Sequence, residues 1–128
     1  METKQKIVMV VEDEAMLLQA IVKKLTLNGF TVLSYADGEK ALSNLLSHTI
    51  SPDIIWLDYY LGNMNGMEFV TQMREHTIDV PVVIVSNSAD DTKVKTMLAL
   101  GVKKYILKAH HRLEEIVIEL QSLLKDLQ

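Results

Sequence analysis

Five short apolar runs rich in β-branched residues alternate with five longer stretches of helical spacing, and this order limits the folds open to the chain more than any other feature. The runs are Ile7 to Val11, Thr31 to Ser34, Ile54 to Leu57, Val80 to Val85 and Val102 to Leu107. The helical stripes are Leu18, Ile21, Val22 and Leu25; Ala41, Leu42, Leu45 and Leu46; Phe69, Val70 and Met73; Val94, Met97 and Leu98; and finally Leu113, Ile116, Val117, Leu120, Leu124 and Leu127. Asn28-Gly29 and Gly101 stand where the first and fourth helices should stop, and Asp37 stands where the second should be capped. Strands that are apolar at every position need cover on both faces. The pattern therefore predicts helices on both sides of a parallel sheet.

Thr31 to Tyr35 is the most polar of the five runs and suits an edge. Five strands of this kind fit the order 2-1-3-4-5 of a flavodoxin-like, doubly wound α/β fold with five helices. At 128 residues the chain is one domain, 1–128, with enough length to bury a core. The net charge of -4 argues against nucleic acid or an anionic membrane surface as a direct partner. The absence of cysteine excludes disulfides and thiolate metal sites. The first apolar run stops at Glu12 with no cleavage-site pattern, so it is not a signal peptide, and no stretch reaches the roughly 20 apolar residues of a membrane helix. The chain reads as a soluble cytoplasmic domain.

In an open parallel sheet, function gathers outside the carboxyl ends of the strands. There the first strand leads into Glu12-Asp13-Glu14, the third into Asp58, the fourth into Ser86 and the fifth into Lys108. Crowded carboxylates call for a cation, and oxygen ligands without Cys or His select a hard one, Mg²⁺. Asp13 and Asp58 are placed as direct ligands and Glu12 as a ligand through water, with the backbone carbonyl of Tyr60 as a further oxygen. Ser86 and Lys108 then remain as donors. A phosphoryl group on Asp58 would require such a metal, cation and hydroxyl.

Each of these residues has an ordinary role when taken alone. A strand-end Asp commonly caps a turn, the Glu12-Asp13-Glu14 run suits a helix N-terminus, Ser86 opens a loop rich in turn formers, and a single Lys is usually a solvated charge. Four such roles coinciding at one end of one sheet is the less economical reading. His48, His76, His110 and His111 show no ligand spacing and read as surface residues, while Trp56 reads as core and Ile118 as partly exposed.

The motifs IVMVVEDE, PDIIWLDYYLGNMNGMEF, PVVIVSNSAD and GVKKYILK, in this order, make the chain resemble the receiver domains of two-component response regulators from about Lys6 onward. The resemblance implies that Glu12 and Asp13 hold Mg²⁺, that Asp58 is the phosphoacceptor, and that Lys108 binds the phosphate. It also implies that Ser86 and Tyr105 are switch residues remodelling the face of helix four, strand five and helix five, and that Tyr60 and Ser88 tune the lifetime of the phosphorylated state. The implied partner is a sensor histidine kinase or histidine phosphotransfer protein. The downstream effector and any homodimer stay unspecified. Ala109 departs from the family, which usually has a Pro joined by a cis bond after the Lys; a cis bond here would cost roughly 2.5–4 kcal/mol. Gly62 and Asn65 replace a common Pro and Asp.

Two other classes remain. A non-phosphorylated pseudo-receiver would use the fold only to bind proteins, with Ala109 as its support. An aspartate-nucleophile phosphatase would need a second acid two residues after Asp58, where Tyr60 stands, so the chain is not expected to be an enzyme. A nucleotide-binding fold would need a Gly-rich loop after the first strand.

Overall fold

The computed structural model describes residues 5–127. It contains β1 (Ile7–Val11), α1 (Ala15–Leu27), β2 (Thr31–Tyr35), α2 (Gly38–Leu46), β3 (Ile54–Asp58), α3 (Gly66–Glu75), β4 (Val82–Ser86), α4 (Asp91–Ala99), β5 (Lys104–Leu107) and α5 (Leu113–Asp126), with a 3₁₀ turn at Lys108–His110. The strands form one parallel sheet in the order β2-β1-β3-β4-β5, as the alternation predicts.

Two strand starts fall later than expected. Val80 precedes Pro81, which has no N–H for the ladder, and β4 begins only at Val82. Val102 donates its N–H back to the Met97 carbonyl at 3.1 Å, closing α4, so β5 waits until Lys104. The punctuation residues behave as expected. Gly29 and Gly101 adopt φ of +88° and +91°, and Asp37 accepts the Glu39 N–H at 2.9 Å. Asn65 and Glu68 form a reciprocal capping box that starts α3.

The central strands bury both faces by strict alternation. Met9, Val11, Ile55, Leu57, Val82 and Ile84 pack with Phe69, Val70, Met73 and Met97 on the α2–α3–α4 side. Val8, Val10, Ile54, Trp56, Val83 and Val85 pack with Ile21, Leu25, Ile116 and Leu120 on the α1–α5 side. Each fully buried side chain of this size contributes roughly 1.5–3 kcal/mol. This double burial makes β3 and β4 apolar until their last residues, Asp58 and Ser86.

The stripes overreach at two positions. Leu98 and Leu127 are 48% and 49% exposed, because α4 presents only Met97 fully to the core and Leu127 is the C-cap beyond the last turn of α5. Ile118 is exposed and Trp56 is buried, as read from the sequence. His48, His76 and His110 are exposed and His111 is half-buried; the adjacent pair precedes Arg112, the N-cap of α5. Among the described residues, no helix is long and apolar enough to cross a membrane.

Candidate functional site

Parallel register brings the strand ends level. Asp58 pairs with Val85, one residue before Ser86, and Ser86 pairs with Leu107, one residue before Lys108. On the other side Val11 pairs with Leu57, which sets Glu12 beside Asp58. The carboxylates of Glu12, Asp13 and Asp58 consequently place one oxygen each within 4.8 Å of one another. Asp13 is exposed at the rim, whereas Glu12 and Asp58 are only 1% and 7% accessible.

Lys108 reaches into this cluster. Its Nζ donates to Glu12 Oε1 at 2.8 Å and to Asp58 Oδ2 at 3.3 Å. The Glu14 N–H donates to the second Glu12 oxygen at 3.1 Å. Both oxygens of Glu12 thus have protein partners, which fits an outer role toward a cation, and Asp13 and Asp58 are left as the freer ligands. Burial, reinforced by the Glu12 carboxylate, pushes Asp58 up to about 6 from its ordinary 3.8, with Lys108 pulling the other way. Burial works against the Lys108 ammonium, but Glu12 and Asp58 outweigh it and hold Lys108 above its ordinary value. One ammonium therefore undercompensates two buried acids. A hard cation is what this donor set lacks, and three carboxylates without nitrogen or sulfur ligands fit Mg²⁺.

The loop after Asp58 is fixed by its backbone. Gly66 donates to the Tyr59 carbonyl at 2.6 Å and Leu61 to the Met64 carbonyl at 3.0 Å, around a Tyr60–Asn65 bridge. In such a pair Tyr60 uses neither its own N–H nor its own C=O on Asn65, so its carbonyl remains available as an oxygen ligand. The peptide after Lys108 is trans, as are all others among the described residues, and the chain winds into the 3₁₀ turn from Lys108 itself. With Ala109 in place of Pro, Lys108 still reaches both acids.

Ser86 is fully buried, and its Oγ accepts the Ser88 N–H at 3.3 Å. Tyr105, half-buried on β5, donates its hydroxyl to the Ser88 carbonyl at 2.8 Å. The two residues expected to switch are thus linked through one loop residue. Sequence reasoning missed Lys93 on α4. Its Nζ lies 4.6 Å from the ring centroids of both Tyr59 and Tyr60 and hydrogen-bonds the Tyr60 hydroxyl. That bond lowers the phenol's pKa and raises the ammonium's. The adjacent tyrosines beside Asp58 were the only available signal.

The family model for the response regulator receiver domain matches residues 8–121. The chain belongs to this family. It is 30% identical over 127 residues to the probable C4-dicarboxylate response regulator DctR of Halalkalibacterium halodurans, covering 94% of this chain and 54% of that protein. It is 31% identical to the alkaline phosphatase synthesis transcriptional regulatory protein SphR of Synechococcus elongatus, covering 92% and 48%. The chain thus spans about half the length of these curated relatives. Among solved structures, a Francisella response regulator receiver domain superposes with a TM-score of 0.88 at 25% identity, covering 97% of this chain and all of that one. A CheY-like receiver domain protein from Methanospirillum hungatei shares the fold, with a TM-score of 0.87 at 18% identity and 96% of each chain covered.

Proposed function

We propose that Asp58 accepts a phosphoryl group, so that the chain acts as a phosphorylation-controlled switch fed by a histidine kinase or histidine phosphotransfer protein. The observation that carries this is the convergence of Asp58, Glu12, Asp13 and Lys108 at one sheet end. An Asp58 oxygen forms a bond to phosphorus as the bond from phosphorus to the donor's imidazole nitrogen breaks, and the imidazole leaves. Asp13, Asp58 and the Tyr60 carbonyl would hold Mg²⁺, with Glu12 behind them; the ion supplies charge neutralisation for the phosphoryl oxygens. Lys108 sits within reach of the same oxygens as a fixed cation, and Ser86 supplies a hydroxyl from the neighbouring strand.

The chemistry modifies the protein itself and turns over no separate substrate. Tyr60 supports this, because the position two residues after Asp58 carries no second carboxylic acid. Lys108 contacts both acids with Ala109 after it, which favours this reading over a non-phosphorylated interaction module. The test is binding of beryllofluoride with Mg²⁺, a stand-in for the phosphoryl group. Wild type should bind and Asp58→Ala should not; equal binding by both would sink the proposal.

A further inference from the structure

Trp56 is the only tryptophan of the chain, and its indole nitrogen is the one buried side-chain N or O atom without a hydrogen-bond partner among the described residues. An indole N–H can only donate, and buried donors in native proteins nearly always find an acceptor. Without one, this group carries the cost of its lost hydration. The ring lies on the α1–α5 side of the sheet, in the cluster that holds Val85, Ile21 and Ile116.

The same four residues line a cavity of about 370 Å³ between the sheet, α1 and α5. Trp56 and Val85, each 1% accessible, belong to the sheet and make its floor. Leu17 of α1 and Leu113 of α5 are half-buried and line its sides, and the exposed Ala109 stands at its mouth. A volume of this size, with a mostly apolar lining and a few polar groups, is that of a small-molecule site. A protein segment laid across the two helices would cover Leu17 and Leu113 without reaching the floor. The floor calls for a molecule that enters.

Two features of the lining set the chemistry of the occupant. The unpartnered donor requires an acceptor, such as a carbonyl oxygen, on an otherwise apolar body. Lys108 disfavours a charge on it: this is the one Lys, Arg, Asp or Glu among the lining residues, and its ammonium is already shared between Glu12 and Asp58 at 2.8 and 3.3 Å. A carboxylate in the cavity would be a third acid drawing on one cation. We propose that this cavity binds a small neutral molecule with an apolar ring and a carbonyl-type acceptor, which takes the hydrogen bond of the Trp56 indole. The cavity shares only Lys108 with the acidic cluster, so its occupancy does not depend on what Asp58 accepts.

Acetophenone, cumene and benzoate probe these features in turn: a phenyl ring with a neutral acceptor, the same shape without one, and the same ring with a charge. Each is titrated into the ¹⁵N-labelled full chain, whose single indole N–H gives one resonance. Acetophenone should move that proton downfield and saturably, and cumene should not. Benzoate should bind at least about tenfold more weakly than acetophenone. Trp56→Phe keeps an aromatic floor without the donor. Read from the amide shifts of Val85 and Ile116, it should weaken acetophenone about three- to tenfold and cumene by less than about twofold. No saturable indole shift with acetophenone would overturn the proposal, as would equal losses for both ligands in Trp56→Phe, or benzoate as the tightest binder. Should Trp56→Phe not fold, the wild-type indole proton decides alone, and equal downfield movement with acetophenone and cumene overturns the assignment.

Discussion

Replacing Lys108 by Ala should destabilise the Mg²⁺-free protein by about 3 kcal/mol at about pH 7.5 and low salt. The cause is what remains behind. Lys108 Nζ is the only cation paired with Glu12 and Asp58 among the described residues, and Glu12 is 1% accessible. Removing one partner of a buried ionic group leaves the other's desolvation uncompensated, which costs more than the pair itself contributes. Two conditions should shrink the loss. At about pH 5, below the Asp58 pKa of about 6, Asp58 is largely protonated and has less need of the ammonium. At millimolar Mg²⁺, charge on the metal takes over much of the same task. Urea unfolding of both proteins under the three conditions reads these differences. A loss of equal size at both pH values without metal would mean that the lysine stem, rather than its charge, was holding the structure.

The features legible in the sequence are those whose physics is local or periodic. Burial on both faces makes β3 and β4 continuous apolar runs, so their polar last residues, Asp58 and Ser86, stand out without any knowledge of the fold. Asp37, Gly29 and Gly101 act on backbone groups within a few residues and are readable for the same reason. The convergence of Glu12, Asp58 and Lys108 followed from strand order, because a parallel register puts all strand ends on one side. Lys93 was not legible. Its partner Tyr60 is 33 residues away, and a cation–π contact depends on rotamers that no spacing encodes. The same holds for the contact of Tyr105, a residue named through the resemblance, whose hydroxyl ends on a backbone carbonyl, an acceptor that every residue offers. Leu98 and Leu127 show the reverse error: periodicity places them on the stripe but does not say how far the covered surface extends.

Asp58→Asn should shift stability in the opposite direction to Lys108→Ala, raising it by about 2 kcal/mol at about pH 7.5 without Mg²⁺. The folded protein holds the Asp58 proton up to about pH 6, whereas the unfolded chain releases it near 3.8. Between those values the native state binds more protons, so stability is fully present below about 3.8 and falls as pH rises through 6. An amide resembles the neutral acid and removes that decline. Comparing urea midpoints of the two proteins should show them converging below about 3.8, separating as pH rises toward about 6, and keeping a constant gap above it. Mg²⁺ should reverse the order, because an ion that binds only the native wild type stabilises it in proportion to its occupancy, while the amide of the Asp58→Asn variant offers the ion a weaker ligand. An Asp58→Asn protein no more stable than wild type at about pH 7.5 without metal would show that the site carries no such charge excess. The double variant discriminates further. If Lys108 stabilises chiefly by balancing Asp58, its removal should cost less in the Asp58→Asn background, and the two changes should fail to add by about 1 kcal/mol or more. Such coupling would identify the carboxylate excess at this sheet end as a stability cost that the site carries in exchange for readiness to take a cation.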